Sequence, residues 1–365
     1  MTPDGIINIY KEKNMTSHDV VGHIRRILGV RRVGHTGTLD PMATGVLPVC
    51  VGRSAKVMEY LDTDLKKYRC TMLLGRTTNT YDIWGEPEEE APEEEVDRVT
   101  EKDVLDALDG FRGRISQLPP LYSAVKVNGK RLYEYARKGR DVDIPRREVY
   151  ITSLEVEDME LGHEYDSWVR FSCECTKGTF IRSICHDAGE ALGVHAVLSE
   201  LERTASGVFT ADTAVTLDDL RNMCGFTRET EPRGNRSQKV RDDGGSTLSN
   251  DVLAMLRPPD DVLGMFGAVD LKPETALRLI NGLEIERRAY EITEFPEYSR
   301  HEFYFPVREE YSRMYRLYSN IPDDMVIPGR PEGVQWYPER NGRRFIGLAE
   351  MNEDNGHLIP EKIFI

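Results

Sequence analysis

The stretch GHTGTLDPMATG at residues 34–45 places one carboxylate, Asp40, in a glycine-rich loop that runs into the apolar segment VLPVCV. A carboxylate held there can act as nucleophile, acid or base, provided a partner keeps it ionised when water is excluded. The same residues admit a plain structural reading. Pro41 forces Asp40 out of the helical region, Asp-Pro is a favoured opening of a helical turn, and Gly34, Gly37 and Gly45 suit turns. No Gly-Lys-Ser/Thr follows, so a nucleoside triphosphate site is not supported. Zinc chemistry of the deaminase type needs His-x-Glu with a downstream Pro-Cys-x-x-Cys, and neither occurs. Cys173 and Cys175 share one face of an expected strand, with His186 and His195 nearby, but small buried thiols are a simpler reading than a zinc site.

The elements that must position this loop follow from patterning. GIINIY (5–10) reads as a strand. Thr16, with Asp19 three residues on, forms a capping box for a helix whose Val20, Val21, Ile24, Ile27 and Leu28 make one apolar stripe, closed by Gly29. Ser54 is expected to cap a helix AKVMEYL, and KYRCTMLLG (67–75) alternates as a strand with Tyr68, Cys70, Met72 and Leu74 on one face. EVYITSLEVE and WVRFSCEC read as strands, and helices are expected near 100–109, behind Thr179 and over LKPETALRLINGL. Without regular β-α alternation, these elements predict an α+β domain around a mixed, mostly antiparallel sheet. A chain of 365 residues exceeds one core. The expected division is a catalytic domain over 1–225, a flexible insertion or linker over 226–260 whose stretch 227–250 is almost devoid of apolar residues, and a small β-rich domain over 261–365.

The formal charge of −15 is unevenly spread. Residues 86–109 carry twelve acids against Arg98 and Lys102, whereas 111–150 carry ten Lys/Arg against four acids and 1–56 carry eight against four. A basic N-terminal half is compatible with binding phosphates, because affinity depends on where positive charge sits. No apolar run spans a bilayer and the N-terminus lacks a signal-peptide pattern, so a cytoplasmic protein with no membrane association is expected.

The segment GHTGTLDPMATGVLP resembles the catalytic motif of TruB-type tRNA pseudouridine synthases. So do TSHDVVGHIRRILG, KKYRCTMLLGRTTNTYDIWGE, PPLYSAVKVNGKRLYEYARKG, CTKGTFIRSICHDAGEALG and FIGLAEMN, in the same order. The resemblance implies a pseudouridine-synthase fold with a PUA-like, RNA-binding C-terminal domain, and an isomerase that rejoins the T-loop uracil at tRNA position 55 to ribose C1′ through C5. Asp40 matches the nucleophile, which either adds to uracil C6 or assists departure of the base from C1′. Arg182 matches the arginine that pairs with it, and Tyr68, beside Lys67, the tyrosine that stacks on the base and assists proton transfer. His35 matches the histidine that replaces the extruded base in the T-loop stack. Phe180 stands where many members carry tyrosine, and Lys11-Glu12-Lys13-Asn14 stands where Lys-Pro-x-Gly is common.

An arm at about 117–145 matches the loop that clamps the T-stem. Lys126, Lys130 and Arg131 would reach phosphates, and Tyr133 would supply a stacking surface. The expectation is a monomer acting on the tRNA T-arm without metal, cofactor or obligate protein partner. A non-catalytic RNA-folding protein on the same scaffold, or a guide-RNA-dependent synthase, are the alternatives. The Asp40–Arg182–Tyr68 set favours catalysis, and a basic arm in the same chain favours the stand-alone form.

Overall fold

A computed structural model describes residues 3–61, 65–231, 250–297, 309–322, 324–325, 327 and 336–364. Seven strands, Gly5–Lys11, Thr44–Val51, Ala196–Ser206, Lys66–Leu74, Trp168–Cys175, Arg147–Glu160 and Gly113–Gln117, lie side by side in that order. Val33–His35 and Phe209–Thr210 add to them, making nine strands. All pairings are antiparallel except that of Thr44–Val51 with Ala196–Ser206, so the sheet is mixed and mostly antiparallel, as the patterning predicts. The parallel contact is short and joins Thr44 to Glu202 and Gly45 to Arg203. Gly45 has φ 104°, and a Cβ there would stand 2.2 Å from the Arg203 carbonyl oxygen, so only glycine lets the loop that carries Asp40 end against that strand.

The first helix, Ser17–Leu28, opens with the expected box: Thr16 Oγ1 accepts from the Asp19 N–H, and Asp19 accepts from the Thr16 N–H. Its stripe of Val20, Val21, Ile24, Ile27 and Leu28 is buried in one core with Ile7, Leu47, Cys70, Met72 and the helix residues Ile184, Cys185 and Ala188. Two expected caps are absent. Ser54 does not cap a helix; Gly52–Tyr60 is a 3-10 helix without a side-chain cap. The buried Ser54 hydroxyl donates to Asp4 Oδ1 at 2.7 Å instead, a bond that also ties down the first strand. The helix Ile181–Leu192 begins after Phe180, not Thr179, whose hydroxyl donates to the Thr176 carbonyl at 2.8 Å.

The C-terminal residues form a five-stranded mixed sheet in the order Tyr290–Glu294, Gly267–Leu271, Met314–Ser319, Arg344–Met351 and Leu358–Ile363. It shares a core with the 3-10 helix: Val57, Tyr60 and Leu61 pack with Phe266, Tyr311, Met314, Phe345 and Phe364. Asp4 Oδ1 also accepts from the Tyr337 hydroxyl at 2.9 Å, which bonds the two domains directly.

Of the expected flexible stretch, residues 232–249 lie outside the described residues. Both flanks are folded: Asn250–Met255 is a helix, and Arg257 pairs with Ile6 of the first strand. Glu231, its side chain 6% exposed, accepts from Arg221 Nε and Arg26 Nε, both at 2.7 Å, and bonds His23 Nδ1 at the same distance. Burial pushes the Glu231 carboxyl up, but bonds from Arg221, Arg26 and His23 outweigh it and hold the group below its usual range. Glu231→Ala is expected to destabilise the protein by about 1–3 kcal/mol in urea unfolding, since it removes the acceptor of Arg221 Nε and Arg26 Nε although Arg221 keeps its pair with Asp218. A loss below about 0.5 kcal/mol, the level of an ordinary surface substitution, would show the cluster to be ornamental. The carboxyl lies below its unfolded value, so its contribution is present above the unfolded value and fades as pH falls through the folded one.

Candidate active site

The loop is clamped on both sides of Asp40. Ser17 Oγ, at the start of the first helix, accepts from the Leu39 N–H at 2.8 Å and donates to the Leu39 carbonyl at 3.1 Å. The Asn14 N–H donates to the Pro41 carbonyl at 2.9 Å. Asn14 has φ 67°, a left-handed conformation that asparagine tolerates, so it fills the position where the resembling motif carries glycine. Lys11 is fully buried beneath this turn, its ammonium donating to the carbonyls of Glu12 at 2.9 Å and Met15 at 2.8 Å. Burial brings its pKa down to about 8.

So held, Asp40 turns its carboxylate to Arg182, whose Nε stands 2.9 Å from Oδ2; the side chains are 36% and 5% exposed. Asp40 opens a tight turn, its carbonyl accepting from the Ala43 N–H at 3.0 Å, and no helix follows. The Arg182 guanidinium is fixed on its other edges: Nη1 donates to the Thr80 carbonyl at 2.8 Å and lies 3.5 Å from Asp82 Oδ2, and Nη2 donates to the Tyr122 carbonyl at 3.1 Å. One buried cation thus bridges two carboxylates and ties the Asp40 loop to the segment around Tyr122. Burial pushes the Asp82 carboxyl up, opposed chiefly by the Arg182 charge and the Thr80 hydroxyl.

Above the pair lies a cavity of about 490 Å³, lined by Asp40, Tyr68, Arg182, Arg203, Phe180 and Lys126 among others. That volume suits a small ligand or a single extruded base. Phe180 is held in the wall by Gln117, which accepts from its N–H at 2.8 Å and donates to its carbonyl at 2.9 Å. Tyr68 stands opposite Arg203 in the strand register. Burial pushes its phenol up to about 12, with the Arg203 charge pulling the other way.

The sequence model of the TruB family pseudouridylate synthase N-terminal domain matches residues 25–181, and that of the tRNA pseudouridylate synthase B C-terminal domain matches 182–262. The chain is 44% identical over 217 residues to tRNA pseudouridine synthase B of Clostridium tetani, spanning 60% of this chain and 72% of the relative. To the protein of that name from Syntrophus aciditrophicus it is 41% identical over 281 residues, spanning 77% and 80%. The chain belongs to the TruB family. It is an isomerase that makes pseudouridine. A chain of a Cbf5-Nop10-Gar1 complex superimposes with TM-score 0.64 at 24% identity, covering all of this chain and 86% of that one, a likeness of fold.

Other residues read from the sequence fall less uniformly around the cavity. His35 ends its strand one residue outside the lining. Burial, and then the Arg203 charge, lower its pKa, which leaves a neutral ring suited to stacking. Lys67 is exposed and outside the cavity, while its neighbour Lys66 is buried and lines it, because successive strand residues face opposite ways. The arm is a hairpin and helix: Lys126–Val127 pairs with Lys130–Arg131 across Asn128-Gly129, with φ 52° and 78°, and Leu132–Ala136 follows. Lys130 and Arg131 are exposed, and the Arg131 and Arg137 guanidiniums lie 5.8 Å and 5.3 Å from the Tyr133 ring centroid. Cys173 and Cys175 are buried in the core, His186 stacks on Tyr81 at 3.9 Å and His195 bonds Glu190 at 2.6 Å. Among the described residues no group of three or more His, Cys, Asp or Glu is gathered to hold a metal, and no helix is long and apolar enough to cross a membrane.

Asp82, Lys66 and Arg203 escape a reading of motifs. Only Asp82 leaves a local signal, the Thr80-Tyr-Asp82-Ile-Trp84 turn in which its carboxylate accepts from Thr80 Oγ1 at 2.9 Å and the Trp84 N–H at 3.0 Å.

Proposed function

We propose that this protein converts the T-loop uridine at tRNA position 55 to pseudouridine, acting alone, with Asp40 as nucleophile and the uridine flipped out of its stack into the cavity. The observation that carries the reading is the Asp40–Arg182 pair: a carboxylate at the cavity, held at 2.9 Å by an arginine that is itself almost wholly buried. Such a pair orients the carboxylate and gives it a fixed countercharge, which suits both routes for breaking the C1′–N1 bond. The curated relatives spanning the site are named tRNA pseudouridine synthase B, which supports tRNA as substrate. Tyr68 and Phe180 line the cavity and would offer aromatic faces to the extruded base, and a neutral His35 would fill the gap left in the stack. The deciding experiment is to incubate unmodified tRNA with the purified chain and map pseudouridine. Modification at position 55 by the protein alone supports the reading, and none, or modification only with a guide RNA, overturns it.

The arm supplies a separate test. Lys130 and Arg131 project into solvent on a hairpin rooted beside Arg182, where they suit phosphates of the T-stem. Changing both to Ala should weaken binding to any T-arm and flatten the log-log salt dependence by up to roughly two contacts, each about 0.7–0.9 of slope. Single-turnover rate at saturating RNA should hold. An unchanged slope in a salt series would remove the arm from the RNA interface.

A further inference from the structure

Arg203 is the largest of the fully buried side chains, 1% exposed. Its Nε donates to the Val46 carbonyl at 2.7 Å and its Nη2 to the Gly37 carbonyl at 3.2 Å. Among the described residues no carboxylate forms an ion pair with it. It lines the catalytic cavity, and its cross-strand partner is Tyr68, so the guanidinium and the phenol stand side by side on one face of the sheet. A desolvated charge that meets only carbonyls is unfavourable unless some other anion uses it. The cation is packed against the loop at Gly37 and Val46, and across the strand pair it stands opposite Tyr68, on whose phenol its charge acts.

The chemistry proposed above needs an anion at that place. Whichever bond Asp40 makes, N1 gains a proton as it leaves C1′, and C5 loses one after joining C1′. The Tyr68 phenol can serve both ends. It gives its proton to the base as the C1′–N1 bond breaks and becomes phenolate. Once the C5–C1′ bond has formed, the phenolate takes the C5 proton, the C–H electron pair returns to the ring, and the phenol is restored. No oxidant or further reactant is required.

We propose that Arg203 is a positioning residue for this exchange: its guanidinium holds the Tyr68 hydroxyl in the cavity and supplies the countercharge for the phenolate that exists between the two transfers. The proposal rests on the pseudouridine-forming reading of the site. Its test is a double-mutant cycle of Arg203→Met and Tyr68→Phe, with Arg203→Lys alongside, measured by single turnover on saturating T-arm RNA carrying uridine or 5-deuterouridine at the target.

Arg203→Met should slow the reaction on the order of 10²-fold, the scale of losing one preorganised charge, and Arg203→Lys only about fivefold, since the charge is kept and the fork is lost. In the Tyr68→Phe background both defects should nearly vanish, and deuterium should slow Arg203→Met more than wild type because C5 deprotonation has become limiting. A defect of equal size with and without the phenol, or an isotope effect unmoved from wild type, overturns the proposal.

Arg203 also holds the loop, so Arg203→Met could fail to fold by circular dichroism. The Arg203→Lys arm of the cycle then decides, and a wild-type rate there, or a defect that persists in full beside Tyr68→Phe, overturns the role. Absence of pseudouridine with wild-type protein would instead remove the reading of the site itself.

Discussion

Asp40→Asn should abolish pseudouridine formation, by on the order of 10⁴-fold or more, while tRNA affinity stays near wild type. The substitution is nearly isosteric, and the contacts that place residue 40 are made by its neighbours: Ser17 on Leu39 and Asn14 on Pro41. An amide at residue 40 can still accept a bond from Arg182 Nε, so the loop should stay put while the nucleophile disappears. Single-turnover assays with mapped product, beside a binding isotherm, separate the two effects. Activity within tenfold of wild type would end the assignment of Asp40, and a large drop in affinity would mean that the loop had moved.

Arg182→Ala should cost about 10²–10³-fold in turnover, the scale seen when one preorganised donor is removed from a reacting charge. Two consequences of the geometry sharpen this. Asp40 and Asp82 flank the guanidinium at 2.9 Å and 3.5 Å, so its loss leaves both carboxylates without the cation they share. The Asp82 carboxyl, already pushed up by burial, loses the largest influence holding it down and should rise further. Asp82→Asn in the same background removes one of the two repelling charges and should restore part of the rate. If Arg182→Ala were fully active, the pair could not be what maintains the nucleophile.

Much of this site was legible because local rules and the final contacts agree. The capping box at Thr16 and the left-handed Gly29 that closes its helix are determined within a few residues and stand as patterned. Asp40 and Arg182 lie 142 positions apart, and their meeting was implied only by resemblance to a family, since no periodicity joins a loop aspartate to the first turn of a distant helix. Ser54 was misread because a serine before an apolar run suits a cap, whereas its real partner, Asp4, is fifty residues upstream. Glu231 was misread for a similar reason: in a polar stretch it looks solvated, and only the fold gathers Arg26, Arg221 and His23 around it. Arg203 gave no signal at all, because a strand arginine reads as exposed until its neighbours close over it.

The joint core at the 3-10 helix Gly52–Tyr60 carries a consequence for heredity. Met58 and Leu61 line the cavity beside Asp40, while Val57, Tyr60 and Leu61 share a core with Phe266, Tyr311 and Phe364 from far along the chain. A change at Phe364, next to the last residue, therefore acts on the wall of a pocket whose chemistry is encoded more than three hundred codons earlier. Selection for turnover should reach the C-terminal strand even where that strand never touches RNA, and substitutions at Phe364 and at Met58 should drift together, not independently.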